Sequence, residues 1–124
     1  MDEFSTTARD VVNSMDEYIT DIKSNFVKSA DELRLGRVKE GLAVFSHVID
    51  ALATLVELLE KLAEHELIDT GESYTNSINS INDFLELIEE AYGKGDLISV
   101  ADIIEYESEK IDALYAIKLS EKAK

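Results

Sequence analysis

The side chains able to do chemistry in this 124-residue chain are carboxylates and two histidines, because it holds no cysteine. Glu105, Glu107 and Glu109 crowd one short stretch. Carboxylates at that density can hold a divalent cation or activate a water for hydrolysis. Ferritin-like bundles do this with carboxylates and Glu-x-x-His, a spacing that sets both ligands on one inward helical face. Here Val44 stands three residues before His47, and Leu62 three before His65, so the pattern fails at both histidines. The two are 18 positions apart on one expected helix. That is roughly 27 Å at about 1.5 Å per residue, too far to share an ion.

Two rows of acids remain. Asp102, Glu105, Glu109 and Asp112 recur at i, i+3, i+7 and i+10, and Asp83, Glu86 and Glu90 form a similar row. Like charges on one helical face cost roughly a few tenths of a kcal/mol per pair, which a basic partner or a cation would offset and a solvated face would tolerate. On a helical wheel Glu107 falls apart from these, inside the apolar arc between Ile103 and Ile111. Burial there would call for a partner such as Arg34, Arg37, His47 or a tyrosine. Gly93 and Gly95 sit in a helix-to-helix turn and lead into Asp96 rather than Lys and Ser, which is no phosphate loop. No Gly-x-Ser-x-Gly occurs, so serine hydrolysis lacks its context. No cofactor is expected.

The elements that must position these groups are helical. Ala8, Val11, Met15, Tyr18, Ile22, Phe26, Ala30 and Leu33 recur in steps of three or four, predicting a helix over residues 5–35. Gly36 then suits a left-handed stop. Val38, Leu42, Phe45, Ile49, Leu52, Val56, Leu59 and Ala63 predict a second helix over residues 38–66. Asp69 and Glu72 resemble a capping box for a third, over residues 71–92, whose Ser- and Asn-rich first half must lean on packing. Asp96 caps a fourth over residues 96–119, fraying after Leu119. Four amphipathic helices on short turns predict an all-α, antiparallel, up-down-up-down four-helix bundle filling residues 1–124 as one domain. The second helix also carries a surplus stripe, Val44, Ala51, Leu55, Leu58 and Leu62. It is either further core or a surface for a second subunit or partner helix.

Composition narrows the function classes. With 12 Lys and Arg against 27 Asp and Glu, the formal charge is −15, which repels phosphate backbones and anionic lipid surfaces. Neither nucleic acid nor membrane is an expected partner. Glu57 and Glu60 interrupt the longest apolar stretches, so no span of about 20 residues is expected, and the acidic start, Met1 to Asp10, lacks the basic and apolar regions of a signal peptide. The chain reads as cytoplasmic.

Residues 32–59 resemble a helix-turn-helix of small uncharacterised bundle proteins from Gram-positive bacteria, as do residues 96–114. In that family an Asp-containing turn leads into an Ala-Asp-x-x-Glu-Tyr-Glu core, matched by Ala101, Asp102, Glu105, Tyr106 and Glu107. The family's usual following proline is replaced by Glu109 or Lys110. The resemblance implies a bundle and no established activity. The reading that follows is a non-enzymatic, chaperone-like interaction module, homodimeric, that presents the apolar stripe or the acidic rows to a protein partner. Two alternatives stand beside it: a carboxylate metal-binding or hydrolytic bundle using Glu105, Glu107 and Glu109, and an acidic mimic of nucleic acid.

Overall fold

The computed structural model describes residues 3–124; Met1 and Asp2, the beginning of the acidic start read above, lie outside the described residues. The chain is all-helical. Five α-helices, α1 (Glu3–Asn13), α2 (Met15–Arg34), α3 (Val38–Glu64), α4 (Glu72–Gly93) and α5 (Leu97–Glu107), precede 3-10 segments at Ser108–Ala116 and Glu121–Ala123.

The expected first helix divides at Ser14, which follows Asn13, two residues whose side chains compete for backbone hydrogen bonds. The break is a bend. Ser14 N still donates to Asp10 O at 3.0 Å, and Tyr18 N to Ser14 O at 3.0 Å, so the ladder crosses the junction.

The expected fourth helix departs more. The α-geometry stops at Glu107, and the chain tightens into the 3-10 segment. Ile111, Leu114 and Ile117 are all buried. Ile111 and Leu114 lie one three-residue turn apart within the segment, and Ile117 follows just past its end in extended backbone.

Three turns end in the same hydrogen-bonded stop. After α2, Gly36 N donates to Leu33 O and Arg37 N to Glu32 O. After α4, Gly95 N donates to Tyr92 O and Asp96 N to Ala91 O. This is the Schellman pattern, with left-handed Gly36 (φ 79°) and Gly95 (φ 71°). After α3 it recurs on Glu66, at φ 59°, with Glu66 N donating to Ala63 O and Leu67 N to Leu62 O. A side chain there crowds its own backbone.

The expected capping box does not form. Asp69 Oδ1 accepts from Gly71 N at 3.0 Å instead, and Gly71 is the N-cap of α4. At α5 the expected cap is present: Asp96 accepts from Ser99 N at 3.0 Å and from its hydroxyl at 2.6 Å, which hold its carboxyl below the usual range. The end of the chain does not fray. Ile68 and Leu119 form an antiparallel bridge, Ser120 Oγ donates to Glu66 O at 2.6 Å, and Ala123 is buried.

One core joins these elements. α2 packs along α3 on one side and along α5 and the 3-10 segment on the other; α4 packs along α5 and the 3-10 segment. Phe26 of α2 and Phe84 of α4 meet edge to face at 5.3 Å between centroids. The Ser- and Asn-rich start of α4 is held as expected by packing: buried Ser77 Oγ lies 2.7 Å from Ala113 O of the 3-10 segment.

By length and composition α3 is apolar enough to cross a membrane, with a window of mean hydropathy 1.8, so Glu57 and Glu60 do not interrupt it as expected. In this fold Phe45, Val48, Leu52, Val56 and Leu59 bury one face of it in the core.

Two expectations follow. Glu66→Gly relieves the left-handed strain and raises stability by about 1 kcal/mol, read as a higher Tm in thermal denaturation. Asp96→Ala lowers the Tm at pH 7. Because the folded carboxyl titrates below its unfolded value, its stabilisation is complete above about pH 4 and is lost as pH falls through the folded value. The Tm gap between Asp96→Ala and the parent therefore narrows in a melting series run downward from pH 5.

Candidate functional site

The acidic row of residues 102–112 does not form a free face. Arg34 Nη2 of α2 donates to Asp102 Oδ1 at 2.8 Å and to Glu105 Oε2 at 2.6 Å, and Lys23 Nζ donates to Asp112 Oδ1 at 2.9 Å. Lys23 comes early in α2 and meets the late acid, while Arg34 comes last and meets the early ones, in keeping with α2 running antiparallel to α5 and its 3-10 continuation. The Asp102 hydrogen bond, then that of Glu105, raises the Arg34 guanidinium above its ordinary range. Glu109 is exposed.

Glu107 is not in the core. Its side chain is 39 % exposed, and its carboxylate pairs with Lys110 Nζ at 3.5 Å rather than with Arg34, Arg37, His47 or a tyrosine. The wheel that buried it assumed an α-helix through residue 111, and that helix ends at Glu107 itself. Glu105 and Glu107 thus serve different cations, Glu109 is exposed, and among the described residues no three of His, Asp and Glu converge on a metal position.

The second acidic row is solvated. Asp83, Glu86, Glu89 and Glu90 line a cleft along α4 with Leu87 and Gly93. Of these acids Glu90 has a cation, Lys94, at 3.1 Å.

The surplus stripe of α3 divides. Leu55 and Leu62 are 7 % and 1 % exposed, which removes them from any surface. Leu58 is half-buried against the core, Val44 is half-buried, and Ala51 is exposed. Ala51, Leu55 and Leu58 sit with Tyr18 and Ile22 in a depression over the packed α2–α3 contact.

The unexpected feature lies on the other flank of α3. Its backbone scarcely approaches that of α4. Between them runs an apolar groove lined by Leu42, Phe45 and Ile49 of α3 and Leu85, Ile88 and Tyr92 of α4. Phe45 and Tyr92 meet across it with ring centroids 5.6 Å apart, although Tyr92 keeps half its surface in solvent. Ala53 lines one wall, and Asp50 and Glu89 are the charged residues of the lining. At the opposite end of the same helix pair, half-buried Tyr74 of α4 closes on α3, where burial, then the charges of Glu60 and Glu64, raise its hydroxyl's pKa.

All the site residues just described except Asp112 fall within residues 10–110, which match the family described as Domain of unknown function (DUF8042). The chain belongs to that family. No curated protein and no solved structure matches it. In this DUF8042 chain the groove residues were legible only as core positions. The surplus stripe read on α3 named Val44, Ala51, Leu55, Leu58 and Leu62, none of which lines the groove.

The α2–α5 seam is testable by salt. Arg34→Ala should melt below the parent at low ionic strength, and the difference should shrink in 1 M NaCl, on the order of a 3 Å screening length. A difference unaffected by salt would mean that Arg34 acts through packing of its stem.

Proposed function

We propose that this DUF8042 chain is a non-enzymatic interaction module that receives a partner protein in the α3–α4 groove. Its frame is read as a four-helix bundle of α2, α3, α4 and the α5 rod with its 3-10 continuation, in which the α3–α4 side is left parted. The observation that carries this reading is the groove itself: half-buried Leu42, Ile49 and Leu85 and half-exposed Tyr92, drawn from two helices, line it beside buried Phe45 and Ile88. Contiguous apolar surface of this kind costs solubility and persists where something covers it. Of the carboxylates that an enzymatic reading would use, Glu105 pairs with Arg34 and Glu107 with Lys110.

A homodimer through the surplus stripe has less support than its sequence pattern suggested. With Leu55 and Leu62 in the core, Val44, Ala51 and Leu58 are what remains for it. Three side chains fall short of the roughly 800 Å² per partner that a standard interface buries.

Ala53→Trp tests the proposal, because the indole fills the groove from its wall without removing a core contact. Capture from a lysate of the source cell should yield a specific partner with the parent and lose it with Ala53→Trp at unchanged Tm. Leu58→Glu, on the other flank, should leave capture intact. Partners held equally by the parent and by Ala53→Trp would overturn the groove as the docking surface.

A further inference from the structure

We propose that the occupant of the α3–α4 groove is a cationic amphipathic helix of about three turns. This rests on the groove being the docking surface and adds the identity of what docks. Three observations carry it.

The first is length and shape. Along α3 the lining runs from Leu42 to Ala53. That is about 16 Å at roughly 1.5 Å per residue, the span over which a helix presents side chains at i, i+4, i+7 and i+11. A peptide that docks by strand addition needs a sheet edge with free backbone groups. The flanking walls here are α3 and α4, whose backbone is committed to their own helices.

The second is charge at the rim. The charged residues lining the groove, Asp50 and Glu89, are both acids, one on each wall. Glu89 also borders the neighbouring cleft, so the α4 wall passes directly into the solvated row of Asp83, Glu86 and Glu90. A helix seated by its apolar face would lay its polar flanks on those acids. Lys or Arg there is attracted, and Asp or Glu repelled.

The third is the global field. A chain of formal charge −15 repels a second copy of itself, whose groove would bring the same acids to the contact. An anionic lipid surface is repelled likewise. A basic helix is drawn in over several ångströms before contact and then held by apolar burial.

The test uses the whole chain and three designed 18-residue peptides of Leu with Lys or Glu. One is a Lys-rich helix with its leucines on a single face, the second has the same face with Glu for Lys, and the third is the Lys-rich composition scrambled so that no face forms. Affinity is read by fluorescence anisotropy at low and moderate salt, and the site by amide chemical shifts. The Lys-rich amphipathic peptide should bind at least tenfold tighter than either control, with shifts centred on Phe45, Ile49, Leu85 and Tyr92. Ala53→Trp should abolish this binding. Asp50→Asn combined with Glu89→Gln should weaken it severalfold and flatten its salt dependence.

Equal binding of the Glu-rich peptide would overturn the cationic assignment while leaving the groove as a docking surface. Equal binding of the scrambled peptide, with shifts spread over α4, would overturn it as mere attraction to acids. Binding unaffected by Ala53→Trp would remove the groove itself, and with it the proposal that this one rests on. A concentration-dependent dimer in light scattering, broken by Ala53→Trp, would make the occupant a second copy and overturn the assignment too.

Discussion

The structure depends on the burial of α2 from two sides. Ile19, Phe26 and Leu33 lie almost wholly out of solvent, and at roughly 1.5–3 kcal/mol for each large apolar side chain they hold α3 on one flank and α5 with its 3-10 continuation on the other. The second contact is antiparallel, and along it Lys23 and Arg34 find their carboxylates at Asp112 of the 3-10 segment and at Asp102 and Glu105 of α5. Once α2 has taken both neighbours, α4 is placed by what remains. It meets α2 through the Phe26–Phe84 contact and α5 alongside, while its approach to α3 is left incomplete.

That order of commitment explains the charge pattern as well as the groove. Cations are scarce in this chain, and two of them are spent on the α2–α5 seam, where each is within 3 Å of a carboxylate. The acids of α4 then face water with little compensation, beside a groove where apolar side chains from two helices are left together. Exposed pairs of this kind contribute little to stability individually. Their effect here is on arrangement: the α4 side of the apolar trough keeps a row of acids in which Lys94 pairs with Glu90.

Much of the helical framework was legible because its signals are local. Gly36 and the Gly95–Asp96 turn need nothing beyond their neighbours to end one helix and begin another, and the cap at Asp96 is a matter of three residues. The departures came where geometry changes period or where distant segments meet. The wheel placed Glu107 in the core because it carried 3.6 residues per turn through residues that wind at three. The spacing of Ile111, Leu114 and Ile117 was visible, but a run of three apolar residues at that interval reads equally as part of an α-helical stripe. The bridge of Ile68 with Leu119 joins segments some fifty residues apart, and Ala123 O accepts from Arg9 Nε across a separation of 114, which no periodicity encodes.

The site was half legible for a related reason. A helical wheel counts how much of a circumference is apolar, and α3 exceeds what one neighbour can cover. It does not say which neighbour arrives first. Leu55 and Leu62 were claimed by the core, and the uncovered share passed to Leu42 and Ile49, positions that look like the centre of the stripe. Filling the trough from within would require α4 to roll toward α3, but Phe84 is already engaged with Phe26, and Ser77 is tied to the 3-10 segment. Moving α4 would break the Ser77 contact and open a void at Phe84, and a void beside a large aromatic costs more than a half-exposed Tyr92. The groove is therefore a consequence of how α4 is anchored, and its apolar walls stay available to a partner because the chain's own packing has no cheaper use for them.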